Sequence, residues 1–121
     1  MTLHLTKEML AAAYDYLRAT KPFDRWNLPE PEDVTFKVSR CASEFGHYQL
    51  IKGRHHISMS NASIGQTATL FRYLAHEMLH LHLEMTGMES KRGDENTHNA
   101  AFRKIAERIC RVHGFDLKAF Y

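Results

Sequence analysis

His76-Glu77-Met78-Leu79-His80 sits inside a stretch from Gln66 to Met85 that holds neither proline nor glycine. Around it Leu70, Phe71, Leu74, Met78, Leu79 and Leu81 recur at helical spacing, which predicts one long helix, apolar on most of its circumference. Ser63 and Gln66 stand three apart ahead of the run, in the pattern of a capping box, and Gly87 supplies a C′ residue behind it. Each helical residue advances about 100°, so the two histidines fall about 40° apart on one face.

Two imidazoles at that spacing can grip one Zn²⁺, with the glutamate between them reaching a metal-bound water. The pattern is short. In a shuffled chain with 9 histidines in 121 residues it arises about one time in twenty, so its surroundings decide its meaning. A catalytic zinc needs a third protein ligand, and Glu84, Glu89, Asp94, Glu95 and His98 all follow. His98 is the strongest of these, with Glu95 and Glu84 next. It opens a second amphipathic run from Thr97 to Ile105, so it approaches the metal from a different direction. Three ligands drawn from two helices leave the fourth tetrahedral position open for water.

With His98-x-x-x-Phe102 downstream of His76-Glu77-x-x-His80, the sequence resembles the SprT-like zinc metallopeptidases. That family pairs the first motif with an H-G-x-x-F-like second one; Asn99 stands here where glycine is usual. His55-His56-Ile57-Ser58-Met59-Ser60 is similar to the strand that precedes the family's zinc helix, and the resemblance runs from Val34 to Val112. It implies a zincin-like α+β fold. The expected elements are an N-terminal helix, a small antiparallel three-stranded sheet, the H-E-x-x-H helix and a C-terminal helix. Members often carry a C-terminal zinc ribbon or DNA-binding tail, which this sequence does not show, so a bare catalytic core is expected.

The implied chemistry is metal-assisted peptide hydrolysis of a protein or peptide substrate. Zn²⁺ on His76, His80 and His98 would polarise the scissile carbonyl and acidify a bound water. Glu77 would take the water proton and return it to the leaving amine. The outer ring nitrogens need acceptors, for which Asp94, Glu95 and Glu84 are near in sequence. Tyr48, Tyr73 and His113 are candidate oxyanion donors, none favoured over the others. His82 lies about 200° round the helix from His80 and faces away from the metal. His55 and His56 read as ordinary strand residues that flank a substrate-binding edge. Two rival readings stay open: a zinc hydrolase acting on a non-protein substrate, and a catalytically silent zinc-bound module that binds peptide or DNA. Retention of Glu77 weighs against the silent module, because a structural zinc has no use for a base.

The rest of the composition is ordinary for a globular protein, with 44% hydrophobic and 25% charged residues. At 121 residues the expectation is one domain spanning 1–121. No apolar run reaches the roughly 18 residues of a membrane span, and the N-terminus lacks a signal-peptide layout, so a cytoplasmic location is expected. Cys41 and Cys110 form no C-x-x-C pair and read as buried free thiols. The net charge of +2 gives little electrostatic pull toward nucleic acid. Arg103, Lys104, Arg108 and Arg111 mark the outer face of the last helix, with Glu107 placed to pair Arg103 and Arg111. A self-paired solvated face is the default reading, and a weak DNA contact the sharper alternative.

Upstream, Thr6 caps a first helix running to about Ala19, with Met9, Leu10, Ala13, Tyr14 and Leu17 on one stripe. Lys21 to Asp33 holds all three prolines and the only tryptophan, and reads as an extended connector pinned by Phe23 and Trp26. Three period-two runs follow: Val34, Phe36, Val38; then Tyr48, Leu50, Lys52; then His55, Ile57, Met59. Short connections predict an antiparallel meander with His55–Ser60 as the edge beside the cleft. After the long helix come a polar loop from Gly87 to Asn96 and a last helix to about Val112, ended by His113-Gly114.

Overall fold

The computed structural model describes residues 4–89 and 98–121. It is a mixed α+β arrangement of four helices and a three-stranded sheet. The first helix, α1, spans Lys7–Arg18, and the Thr6 hydroxyl accepts from the Met9 amide at 3.2 Å as its N-cap. Leu10, Ala13, Tyr14 and Leu17 are its buried stripe. The Tyr14 ring meets Phe36 edge-on at 5.3 Å, and its hydroxyl donates to the Pro29 carbonyl at 2.7 Å. The connector is more structured than an extended crossing, with 3₁₀ turns at Phe23–Arg25 and Pro31–Asp33. Phe23 is buried, and Trp26 packs partly buried against the core.

The strands are β1 (Val34–Ser39), β2 (Gly46–Ile51) and β3 (Arg54–Ser60). Their order is β1-β3-β2, with β3 parallel to β1 and antiparallel to β2. This corrects the expected all-antiparallel meander. The hairpin half of it is present: Lys52 and Gly53, both at positive φ (51° and 80°), form the two-residue turn between β2 and β3. The chain then inserts β3 between its two predecessors, so β3 is the central strand and not an edge. In the middle β3 pairs its backbone on both sides, and its Ile57 and Met59 are 0% exposed, whereas Leu50 and Ile51 on β2 are 45% and 41% exposed.

Helix α2 runs Thr67–Met85 and carries most of the core-facing surface, with Leu70, Leu74, Ala75, Met78, Leu79, Leu81 and Leu83 buried. Its N-cap is Gln66, with no side-chain cap bond, so the Ser63–Gln66 capping box does not form: Gln66 occupies the cap itself instead of the third helical position a box requires. At the other end Gly87 adopts φ 73°, as a C′ residue does. Helix α3 spans Ala100–His113 and ends on Gly114 at φ 76°. A short α4, Leu117–Phe120, follows and is capped by the Asp116 carboxylate accepting from the Ala119 amide. Both cysteines are free; Cys110 is buried, but Cys41 is only half-buried, on the segment after β1. Among the described residues no helix is long and apolar enough to cross a membrane.

Gly46 opens β2 opposite Met59, and a Cβ there would stand 2.7 Å from Met59 Sδ and 3.1 Å from the Ser58 carbonyl oxygen. Met59 is fully buried, so its side chain must shift within the core to make room, while the Ser58 carbonyl is backbone and yields little. Gly46→Ala is therefore expected to lose about 1–3 kcal/mol, as overpacked cores do. Urea denaturation checks this, and an unchanged midpoint would contradict the close packing of β2 on β3.

Candidate functional site

One turn of α2 presents His76 and His80 to the same side, and the chain entering α3 brings His98 against them. One nitrogen from each of the three rings lies within 4.8 Å of the others. Two nitrogens sharing a tetrahedral zinc at 2.0–2.1 Å stand roughly 3.4 Å apart, so small ring movements suffice to close on one ion. Among the described residues this is the group of His, Cys, Asp or Glu side chains that could hold a metal ion. His98 is not in the first turn of α3 as expected. It precedes the N-cap, Asn99, whose side-chain oxygen accepts from the Phe102 amide at 2.9 Å.

The second shared residue of the downstream motif has a visible job. Phe102 lies one helical turn after His98, and the two rings stack at 3.9 Å with an 8° tilt. The same fully buried ring stands 5.1 Å from His76 and 4.8 Å from His80. Phe102 is thus the floor on which the three imidazoles rest.

The outer nitrogens fix the inner ones. His76 Nδ1 lies 2.6 Å from the Phe120 carbonyl oxygen. A carbonyl only accepts, so Nδ1 carries the proton. Burial, reinforced by neighbouring His80, pushes the His76 imidazole down to about 3, against the pull of the Phe120 carbonyl. The ring is therefore neutral at ordinary pH, with its lone pair on Nε2. His80 Nδ1 donates to Glu89 Oε2 at 2.8 Å, which again leaves Nε2 as the inward atom. His80 is 0% exposed, and its Nε2 has no hydrogen-bond partner among the described residues. Such an orphaned atom costs about 1–3 kcal/mol, a cost that metal ligation would remove. The donor set therefore fits a metal ion.

Glu77, only 3% exposed, shares a cavity of about 210 Å³ with His76 and His98. The cavity is also lined by Ser43, Glu44, Phe45, Gly46, Tyr73 and Tyr121. Of the oxyanion candidates, Tyr73 lines this cleft, its ring stacked on Phe45 at 4.1 Å and topped by the Arg72 guanidinium. Tyr48 instead bonds His55 Nδ1 at 2.6 Å. His113 is engaged with Thr20 and the Lys21 carbonyl at the far end of α3. His82 faces away as expected and stacks on Trp26 at 3.9 Å. His56 lies on the outer sheet face beside Thr35 and Gln49. Glu84 is not in the histidine cluster, and Asp94 and Glu95 lie outside the described residues. On α3, Glu107 bonds Arg111 at 3.4 Å on an exposed face.

Besides the cavity wall at Ser43, Glu44, Phe45 and Gly46, sequence reasoning missed three contributions to the site. The Phe120 carbonyl carries no side-chain signal at all. Tyr121 reaches the cleft only because α4 folds back on α2, for which the Asp116 cap is the one local cue. Glu89 was weighed as a ligand, whereas its carboxylate bonds the back of a ligand candidate instead.

Phe102→Leu is expected to keep the fold, since it conserves apolar volume, and yet weaken metal binding by removing the stacked floor under His98. Thermal unfolding and zinc affinity measured side by side check this. Equal affinity in variant and wild type would show that the stacking is incidental.

No curated protein matches the chain in sequence comparison. The model of the SprT-like family matches residues 8–119, which extends past the Val34–Val112 resemblance to take in α1 and most of α4. The chain belongs to the SprT-like family.

Proposed function

We propose that the protein is a zincin-like zinc metallopeptidase, with His76, His80 and His98 as metal ligands and Glu77 as general base. The observation that carries this reading is the convergence of three imidazole nitrogens within 4.8 Å beside a nearly buried carboxylate that opens on a cleft. Family membership supports it. When bound there, a zinc ion supplies Lewis acidity to the scissile carbonyl and to a water molecule.

The chain's own residues do the rest. The Glu77 carboxylate accepts the proton released as water attacks the peptide carbonyl carbon. It hands that proton to the amide nitrogen as the C–N bond breaks, leaving an amine and a carboxylic acid, whose remaining proton then passes to the amine or to solvent. His76 and His80 hold Nδ1 outward, against the Phe120 carbonyl and Glu89, which leaves Nε2 of each ring as the atom facing the site. A polypeptide suits the cleft. Strand β2 is an edge of the sheet, and Phe45 and Gly46 at its start line the cavity. An extended substrate can add to that edge through backbone hydrogen bonds. The Phe45–Tyr73 stack and Tyr121 then form an aromatic wall for a substrate side chain.

Glu77→Gln should retain zinc and lose about 10²–10⁴-fold in turnover of an unfolded protein substrate. If wild type and Glu77→Gln are equally inert on unfolded proteins, with and without DNA, the peptidase reading fails. His98→Ala should lose the zinc that wild type holds at about one ion per chain, as read by metal analysis after dialysis. Full zinc retention in that variant would remove His98 from the ligand set.

A further inference from the structure

We propose that Glu89 and Asn99 are positioning residues that set the metal affinity of the histidine site, by latching the exit of α2 to the entry of α3. The inference rests on the reading of His76, His80 and His98 as one metal site. Three observations carry it. First, Glu89 Oε2 holds His80 Nδ1 at 2.8 Å, which turns Nε2 of a fully buried ring inward. A carboxylate behind a ligating imidazole fixes its tautomer and raises its basicity. Second, Glu89 is itself anchored. The Met88 and Glu89 amides both donate to the Leu83 carbonyl, at 2.8 and 3.2 Å, which folds this segment back on the last turn of α2. Third, the Asn99 side chain reaches that same segment. Its Nδ2 donates to the Met88 carbonyl at 2.9 Å, while its Oδ1 accepts from the Phe102 amide at 2.9 Å. The two partners fix the orientation of the amide, because a carbonyl only accepts and a backbone N–H only donates.

One side chain therefore joins three parts of the site. It caps the helix that carries the Phe102 floor, it is the neighbour of His98, and it holds the residue next to Glu89. A residue that only caps α3 would need the oxygen alone. The Nδ2 contact to Met88 is the extra bond that sets the spacing between the His80 side and the His98 side.

Asn99→Ser separates the two roles, since serine caps a helix well but is too short to reach Met88. Titration of the metal-free protein with Co²⁺, followed by its visible absorption, and Zn²⁺ competition give the affinities. Asn99→Ser should keep the thermal midpoint of the metal-free protein near wild type and weaken binding about fivefold, the worth of one net hydrogen bond. Glu89→Ala should weaken binding by about 10–100-fold. Glu89→Gln, which keeps an acceptor for Nδ1–H without the charge, should fall between Glu89→Ala and wild type. If Glu89→Ala fails to fold, Glu89→Gln alone decides that arm. Wild-type affinity in Asn99→Ser or in the Glu89 variants would overturn the latch while leaving the metal site standing. A wild-type protein that binds neither Co²⁺ nor Zn²⁺ would overturn the metal site and the latch together.

Discussion

Three imidazoles packed side by side in a protein interior form a difficult arrangement, and the structure is organised around solving it. Each ring has two nitrogens, and a buried ring needs a partner for both. The outer nitrogens of His76 and His80 are satisfied by acceptors from elsewhere in the chain, the Phe120 carbonyl and the Glu89 carboxylate. That arrangement turns the inner nitrogens toward a common point. Burial favours the neutral ring, as the depressed His76 shows. The desolvation that makes the cluster costly to fold thus makes it ready to ligate.

The rest of the fold supplies what this cluster requires. Helix α2 is buried along most of its length, so the ligand spacing is held by the core instead of by a surface turn. Helix α4 consists of only four residues, yet it delivers a carbonyl to His76 and Tyr121 to the cleft. The sheet presents an edge strand, with Gly46 at the cleft wall where a side chain would collide with Met59. Phe102 links the two helices through its contacts with all three histidines.

What could be read from the sequence followed from local rules. Periodicity placed α1, α2 and α3, because their stripes are long enough for a 3.6-residue repeat to show. The i, i+4 spacing placed His76 with His80, since helical geometry fixes such a pair, whereas the pairing of His98 with Phe102 was marked only by the resemblance, and the two meet across the N-cap of α3. The strands were legible one by one, but their order was not. Alternation says which face of a strand is buried and is silent about its neighbours, and the short connections favoured a meander over the inserted β3. The capping box at Ser63 and Gln66 failed by frame, a matter of three residues that only the helix start decides. The acceptors behind the histidines were hidden for a different reason: one is a backbone atom 44 positions away, and the other is one of several glutamates that only the turn after α2 selects.

The proposed metal is held by three histidines, with a fourth position left for a non-protein ligand. X-ray absorption spectroscopy of the zinc-loaded protein measures it most directly. The expected result is one zinc per chain with three imidazole nitrogens at about 2.0–2.1 Å and a single oxygen completing the shell. A sulfur neighbour, four imidazoles or the absence of stoichiometric zinc would contradict it.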